Sequence, residues 1–334
     1  MTERDDSTGR VLGVIGTLVW DRIYDRDGRS APVEEWGGIT YALQAVSAAL
    51  PEGWRILPIL KVGRDLAEEG RRFLLEIPRV DADAVVVVPE ANNRVELRYR
   101  DGGRRTEQLE GGVPPWSWPE LSPLTELCDA LYVNFISGFE MELGTARALR
   151  VGYGGPMYAD LHSLFLEMAP SGMRIPRPLE AWASWLRCFD AVQMNEDEFD
   201  MLGDTGDPWR LAADAMGPDL ELLMVTLGDR GAAYVVSESF APDPMTWRAG
   251  ETLARTPRSR SGRVSVEYPV STGDPTGCGD VWGGAVFARL LAGDGLDEAM
   301  SEANRLAALN AAHRGARGLF RHLTGRLSYI EERS

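Results

Sequence analysis

The sequence predicts an α/β protein, a three-layer α/β/α sandwich with a mostly parallel central sheet and a small β lid. Three observations predict it. Short apolar runs that read as buried strands alternate with amphipathic helical stretches, the pattern of a parallel sheet covered on both faces. Polar residues recur just after these strands. One stretch, Val85–Val113, breaks the alternation and reads as an antiparallel hairpin projecting from the body.

The elements follow in order. "RVLGVIGTLVWDRIY" (Arg10–Tyr24) reads as a strand from Val11 to Ile15 that opens into a loop at Gly16, with Asp21 just beyond. "GGITYALQAVSAALP" (Gly37–Pro51) is a Gly-Gly turn and a helix whose apolar face holds Ala42, Ala45, Val46 and Ala49. Arg55–Gly63 is the next strand and Asp65–Ile77 the next helix. The hairpin turns at Asp101-Gly102-Gly103 and carries Arg94, Arg98, Arg100, Arg104 and Arg105 on its outer face. Two readings of that face stand: a solvated surface, or a lid over a ligand. Alternation resumes with strands in Cys128–Ser137, Gly154–Ser163, Phe189–Phe199 and Leu220–Val236. Pro242–Arg263 reads as a surface excursion, and Asp297–His313 as a final helix. With no internal repeat and no separating linker, residues 1–334 are expected to form one domain with lid segments at about 22–36 and 92–113.

Composition narrows the function. No apolar run reaches the ~18 residues of a membrane span, and the polar N-terminus is unlike a secretory signal, so the cytoplasm is expected and a membrane partner is not. Three scattered cysteines and three scattered histidines argue against a disulfide framework and a zinc site. A net charge of −16 argues against nucleic-acid binding. Among 35 basic residues Lys61 is the only lysine, which excludes a Walker-type phosphate loop. Any phosphate would fall to backbone amides, a metal and arginine.

The chemistry concentrates at predicted strand ends. Asp21, Asp160, Asn195 with Glu198, Thr226 with Gly228, and the loop from Asp274 to Asp280 all follow strands, where open α/β sheets bind ligands. In "STGDPTGCGDVWGGAVFARLLAG" (Ser271–Gly293) the apolar residues Val281, Ala285, Val286, Phe287 and Leu290 favour a helix that stops at Gly293. Gly277, Cys278 and Gly279 then lie at its N-terminus, where free N–H groups and the helix dipole attract anions. Asp280 is out of place in a loop that only holds phosphate. It fits as a general base that takes a proton from an attacking hydroxyl while the amides hold the transferred group. The alternative is an N-cap aspartate in a tight turn.

These residues resemble the ribokinase-like (PfkB) carbohydrate and nucleoside kinases over nearly the whole chain. "DPTGCGD" is similar to the family's Asp-x-Thr-Gly-Ala-Gly-Asp signature, with Cys278 in the alanine place. "MNEDEF" contains its Asn-x-x-Glu as Asn195 and Glu198, and "VTLGDRGA" its nucleotide loop as Thr226, Gly228 and Gly231. "GVIGTLVWD" and "WGGITYA" resemble its early aspartate and Gly-Gly turn. The resemblance implies transfer of the γ-phosphoryl group of ATP to a substrate hydroxyl, with Asp280 as base and the Gly277, Cys278 and Gly279 amides as anion hole. It implies that Asn195 and Glu198 place Mg²⁺ and the phosphates, in part through water. Thr226, Gly228 and Gly231 would line the nucleotide, with Asn304 near the adenine. Asp21, Gly37 and Gly38 would hold the hydroxyl substrate, and Asp274 and Thr276 a potassium ion, which some members use.

Besides Cys278, the chain departs from the family pattern in two places. The asparagine that many sugar kinases carry after the Gly-Gly turn is missing: Ile39, Thr40, Tyr41 and Ala42 follow instead. Tyr41 is then either an acceptor wall or core. Trp282 replaces the phenylalanine usual after the catalytic aspartate. Asp160 and His162 sit at a strand end near the expected site, and a hydrogen-bonded structural role is the leading reading of His162. The expected partners are ATP and a small polyol (a sugar, cyclitol or nucleoside), with lid edges that a homodimer could pair. Two other readings stay open: a sugar-phosphate acceptor held by Arg98 or Arg100, and a binding protein on a decayed kinase scaffold.

Overall fold

The computed structural model describes residues 9–24, 31–99, 105–203, 206–248, 258–267 and 273–325. Its strands are β1 (Arg10–Tyr24), β2 (Val33–Gly38), β3 (Trp54–Gly63), β4 (Val85–Val88), β5 (Arg94–Tyr99), β6 (Arg105–Glu110) and β7 (Ala130–Asn134). There follow β8 (Met157–Asp160), β9 (Leu166–Met168), β10 (Arg174–Pro176), β11 (Ala191–Asn195), β12 (Leu222–Thr226), β13 (Ala232–Ser237) and β14 (Ser259–Val264). The central sheet has the order β14-β13-β12-β11-β8-β7-β1-β3-β4. β13 runs antiparallel to both neighbours, and the other pairings in this path are parallel.

Alternate residues of the strands feed two cores, as the two-residue period of a strand requires. Leu12, Val14, Tyr132, Leu222 and Met224 join helices Ile39–Ala49, Cys278–Leu291 and Leu296–Ala311 on one face. Val11, Ile15, Leu131, Val133, Leu223 and Val225 join helices Trp118–Thr125, Leu143–Gly152 and Pro208–Ala215 on the other. Both faces of the sheet are therefore dry, which is why its strands read as near-continuous apolar runs. No helix among the described residues is long and apolar enough to cross a membrane.

The strand expected over Val11–Ile15 does not stop at Gly16 but continues to Tyr24. Its second half leaves the central sheet and enters a smaller layer of order β2-β1-β5-β6. There Leu18–Ile23 pairs antiparallel with β2, and Trp20–Tyr24 pairs parallel with β5. Asp21 is consequently on a strand, opposite Glu35. The hairpin read within Val85–Val113 is present as β5–β6; its turn, with Arg100 and Arg104, lies outside the described residues, as do residues 25–30 of the first lid segment. Val85–Val88 is the parallel edge strand of the central sheet. Leu220–Val236 is two antiparallel strands, because the Gly228–Gly231 turn, with φ of 61° and 93° at its glycines, reverses the chain.

The sole lysine is structural. Lys61 is buried, donates to the Pro115 carbonyl at 2.9 Å and the Glu120 carboxylate at 2.8 Å, and lies over the Trp116 ring. Glu120, hydrogen-bonded by Lys61 and then Ser117, is held down at about 2.

Candidate active site

Neighbouring parallel strands end in polar side chains that stand in a row. Register pairs Asn134 of β7 with Asp160 of β8, Gln193 of β11 with Asp160, and Asn195 with Thr226 of β12. Two hydrogen bonds tie the N-terminus of helix Cys278–Leu291 to this edge. Asn134 Nδ2 donates to Asp280 Oδ1 at 2.8 Å, and Gln193 Nε2 donates to the Gly279 carbonyl at 3.1 Å. Gln193 Nε2 also donates to Asp160 Oδ2 at 3.0 Å, and its amide oxygen accepts from the Tyr158 hydroxyl.

The loop before the helix is pinned by its own sequence. Asp274 Oδ1 accepts from the Thr276 amide at 2.9 Å, and the Cys278 amide donates to the Pro275 carbonyl at 3.1 Å. Asn310 Nδ2 donates to the Thr276 carbonyl at 2.8 Å, fastening the loop to helix Leu296–Ala311. Gly277 caps the helix in the left-handed region, φ 73°, and a Cβ there would lie 2.3 Å from the ring of Tyr41. Tyr41 is thus both core and wall: it is buried and lines a cavity. Burial raises the Cys278 thiol, and the Asn310 hydrogen bond only partly offsets this, so at neutral pH it is a thiol.

Two cavities meet at this helix end. One, of about 370 Å³, holds Gly231, Cys278, Trp282 and Asn304 against the small residues Ala307, Ala308 and Ala311. The other, of about 430 Å³, holds Asp21, Gly38, Tyr41, Asp160, Asn195, Glu198, Thr276, Gly277 and Asp280. Thr226, Gly228, Pro275 and Gly279 line both. The β2-β1-β5-β6 layer supplies Val19, Val95, Leu97 and Glu107 to the larger cavity. Of the residues that the family resemblance assigns to the site, Gly37 and Asp274 line neither cavity. Gly37 backs the Asp21 carboxylate so closely that a Cβ would fall 1.7 Å from its oxygen.

The electrostatics are set by burial. Asn195 and Glu198 cap helix Glu196–Asp200 reciprocally: Asn195 N and Nδ2 donate to the Glu198 carboxylate, and Glu198 N donates to Asn195 Oδ1 at 2.9 Å. Burial raises the Glu198 carboxyl to about 7, against the opposing pull of His162. Burial alone would lower His162, but the charge and 3.1 Å contact of Asp160, with Asp280 and Glu198 beyond, bring it to about 10. Donor atoms of Asp160, His162 and Asp280 lie within 4.8 Å of one another. The 3.1 Å contact with Asp160 pairs the imidazole with a carboxylate inside this trio.

Asn304 has an unused donor. Its Oδ1 accepts from Trp282 Nε1 at 2.8 Å, while its buried Nδ2 has no partner beside the smaller cavity. Three residues at the site escape the sequence reading. Asn134 and Gln193 are polar residues at or near the ends of otherwise apolar strands, so the strand-end rule reaches them. Arg174, on a three-residue strand, carries no signal in the sequence. Arg98 does not line the larger cavity: it stacks on Tyr24, 4.0 Å from the ring centroid, and pairs with Glu96 at 3.0 Å.

Comparison with known proteins bears on the fold. No curated protein matches the sequence. Among solved structures, a sulfate complex of a pyrophosphate-dependent kinase in the ribokinase family aligns at 15% identity and a TM-score of 0.68, covering 91% of this chain and 96% of that one. A Burkholderia thailandensis nucleoside kinase in complex with inosine aligns at 15% identity and a TM-score of 0.67, covering 95% and 96%. A ribokinase-II-type protein from E. coli in complex with ATP and Mg²⁺ aligns at 18% identity and a TM-score of 0.67, covering 92% and 94%. At these identities the likeness is one of fold. The family that the sequence motifs resemble is also the one whose model the chain matches: residues 167–321 match the pfkB family of carbohydrate kinases, on a ribokinase-like fold that spans nearly the whole chain.

Proposed function

We propose that the protein is a kinase that moves the γ-phosphoryl group of ATP onto a hydroxyl of a small polyol, with Asp280 as general base. The observation that carries this reading is the meeting of the two cavities at the N-terminus of helix Cys278–Leu291, with Asp280 facing the larger and Trp282 and Asn304 facing the smaller. The smaller cavity suits a purine: its wall is apolar, and the unpartnered Asn304 Nδ2 offers one donor to a ring nitrogen or ribose oxygen. The larger suits the acceptor, with Asp21 and Asp160 as hydrogen-bond acceptors for its hydroxyls.

In the step itself, Asp280 takes the proton of the attacking hydroxyl as its oxygen bonds to the γ-phosphorus. The bond from that phosphorus to the β–γ bridging oxygen breaks and ADP leaves. Asn134 donates to Oδ1 of Asp280 and so orients the carboxylate that lines the larger cavity. The amides of Gly277 and Gly279 stabilise the transferred group, with the Cys278 amide shared with the Pro275 carbonyl. Since Lys61 is committed elsewhere, no lysine assists. The β2-β1-β5-β6 layer closes the acceptor side and excludes water, which would otherwise hydrolyse ATP. The donor set fits magnesium: Glu198, a buried carboxylate fixed by Asn195 in the wall that holds Asp280, would be an oxygen ligand for it. A magnesium ion held there would neutralise phosphate charge.

Two expectations follow from named atoms. Below about pH 7 a proton on Glu198 competes with the metal, so the Mg²⁺ concentration for half-maximal rate should fall as pH rises through neutrality. Glu198→Gln should raise that concentration and flatten its pH dependence; an unchanged profile in a Mg²⁺ titration at several pH values would count against the role. Gly37→Ala should displace the Asp21 carboxylate and raise the acceptor KM about 10–100-fold with a smaller change in kcat, the range for losing a hydrogen bond to a charged group.

A binding protein on a decayed scaffold would be free to lose Asp280 or the Asn195–Glu198 pair, and this chain keeps all three residues. The test is a coupled ADP-release assay with ATP and Mg²⁺ against sugars, cyclitols, nucleosides and sugar acids or phosphates, with pyrophosphate replacing ATP in a parallel set. Acceptor-dependent ADP release supports the reading. Turnover with pyrophosphate alone would leave the apolar cavity without a role and reject ATP as donor.

A further inference from the structure

We infer that the acceptor carries an anionic group, a carboxylate or a phosphate, and that Arg174 binds it. The inference rests on the kinase reading for the word acceptor, but not for the site itself. Arg174 lies on β10, in the short β9–β10 hairpin that docks on β6 through the Leu109 amide to the Gly172 carbonyl at 2.8 Å and Gln108 Nε2 to the Ser171 carbonyl at 2.9 Å. It lines the larger cavity and is 9% exposed.

A buried guanidinium offers five N–H donors, and burying them unpaired is costly. Here Nη2 makes one long contact, 3.4 Å to the Ser163 carbonyl, and Nε is buried with no partner. The nearest acidic groups do not complete it. Glu140 attracts it but already accepts from Thr17 Oγ1, the Ser137 amide and hydroxyl, and the Gly138 amide. Glu107 attracts it from β6. The other cation in the cavity wall, His162, is already paired with Asp160.

An otherwise acidic pocket, lined by Asp21, Glu107, Asp160, Glu198 and Asp280, thus holds one buried cation with its Nε donor unused. A neutral polyol would leave that donor unmatched. A carboxylate or phosphate takes the planar guanidinium in a two-point contact and relieves the burial of an unpaired charge. Arg174 also rejects neutral look-alikes, because a site built around a charged hydrogen bond is left unpaired by an analogue that lacks it.

The experiment measures binding and turnover separately. Calorimetry would compare D-gluconate and D-glucose 6-phosphate with D-glucose on wild type, Arg174→Lys and Arg174→Gln, and the ADP-release assay would follow the same probes. Wild type should bind at least one anionic probe about 10–100-fold more tightly than glucose, the range for a hydrogen bond to a charged group. Arg174→Gln should remove that preference, and Arg174→Lys should keep part of it. Which anion gains identifies carboxylate or phosphate as the group recognised. Equal or tighter binding of glucose by wild type overturns the inference whether or not the variants fold, as does a preference that survives in a folded Arg174→Gln. Anion binding that depends on Arg174 without ADP release would keep the anion site and reject the kinase reading.

Discussion

Asp280→Asn is expected to lower turnover by roughly 10²–10⁴-fold, the range for losing a general base, while nucleotide affinity stays near that of wild type. The substitution preserves size, and the Asn134 Nδ2 contact at 2.8 Å can still be accepted by the amide oxygen, so the loop keeps its shape. What is lost is the ability to take a proton. Because Asp280 lines the larger cavity and not the smaller, nucleotide affinity reports the intact fold while turnover reports the base. Steady-state kinetics with a fluorescent-nucleotide titration separates the two. Near-normal turnover in the variant removes Asp280 from the role.

Gly277→Ala should be the most damaging single change in the loop, for two independent reasons. Its φ of 73° costs an alanine roughly 1–2 kcal/mol. The new methyl would also lie 2.3 Å from the Tyr41 ring, and overpacking of this kind costs roughly 1–3 kcal/mol. Any relaxation shifts the amides that face the transferred group, and losing one such donor costs about 10²–10³-fold in kcat. Gly279→Ala makes the contrast, since a Cβ there meets nothing within 4 Å. That variant should melt near wild type and still lose turnover, because the methyl enters the space both cavities share. Thermal melts beside kinetics check the pair; a Gly277→Ala protein as stable and active as wild type would reject the packing described.

What was legible in the sequence was local or periodic. The loop Asp274–Asp280 can be read because its geometry depends on glycine, an Asx-type turn and the helix that follows within a few residues. The central strands can be read because burial on both faces makes them apolar throughout. The second half of β1 could not be read so: nothing local tells Leu18–Tyr24 to leave one sheet for another, and its partners β2 and β5 are set by tertiary pairing. Distance in the chain also hides the contact between Asn134 and Asp280, 146 residues apart. Arg174 is the hardest case. The hairpin that carries it is too short for a period, and its meaning comes only from the cavity it lines. The arginines that draw attention in the sequence are on the β5–β6 hairpin, where Arg98 is satisfied by Tyr24 and Glu96.

The step proposed for this protein is phosphoryl transfer to a hydroxyl at the junction of the two cavities. Its most direct test follows a radiolabelled γ-phosphoryl group from ATP into an acceptor from the panel, with wild type and Asp280→Asn side by side. Wild type is expected to give a labelled phosphate ester, and the variant at least about a hundredfold slower labelling. Label released only as inorganic phosphate, or equal labelling by both proteins, would contradict it.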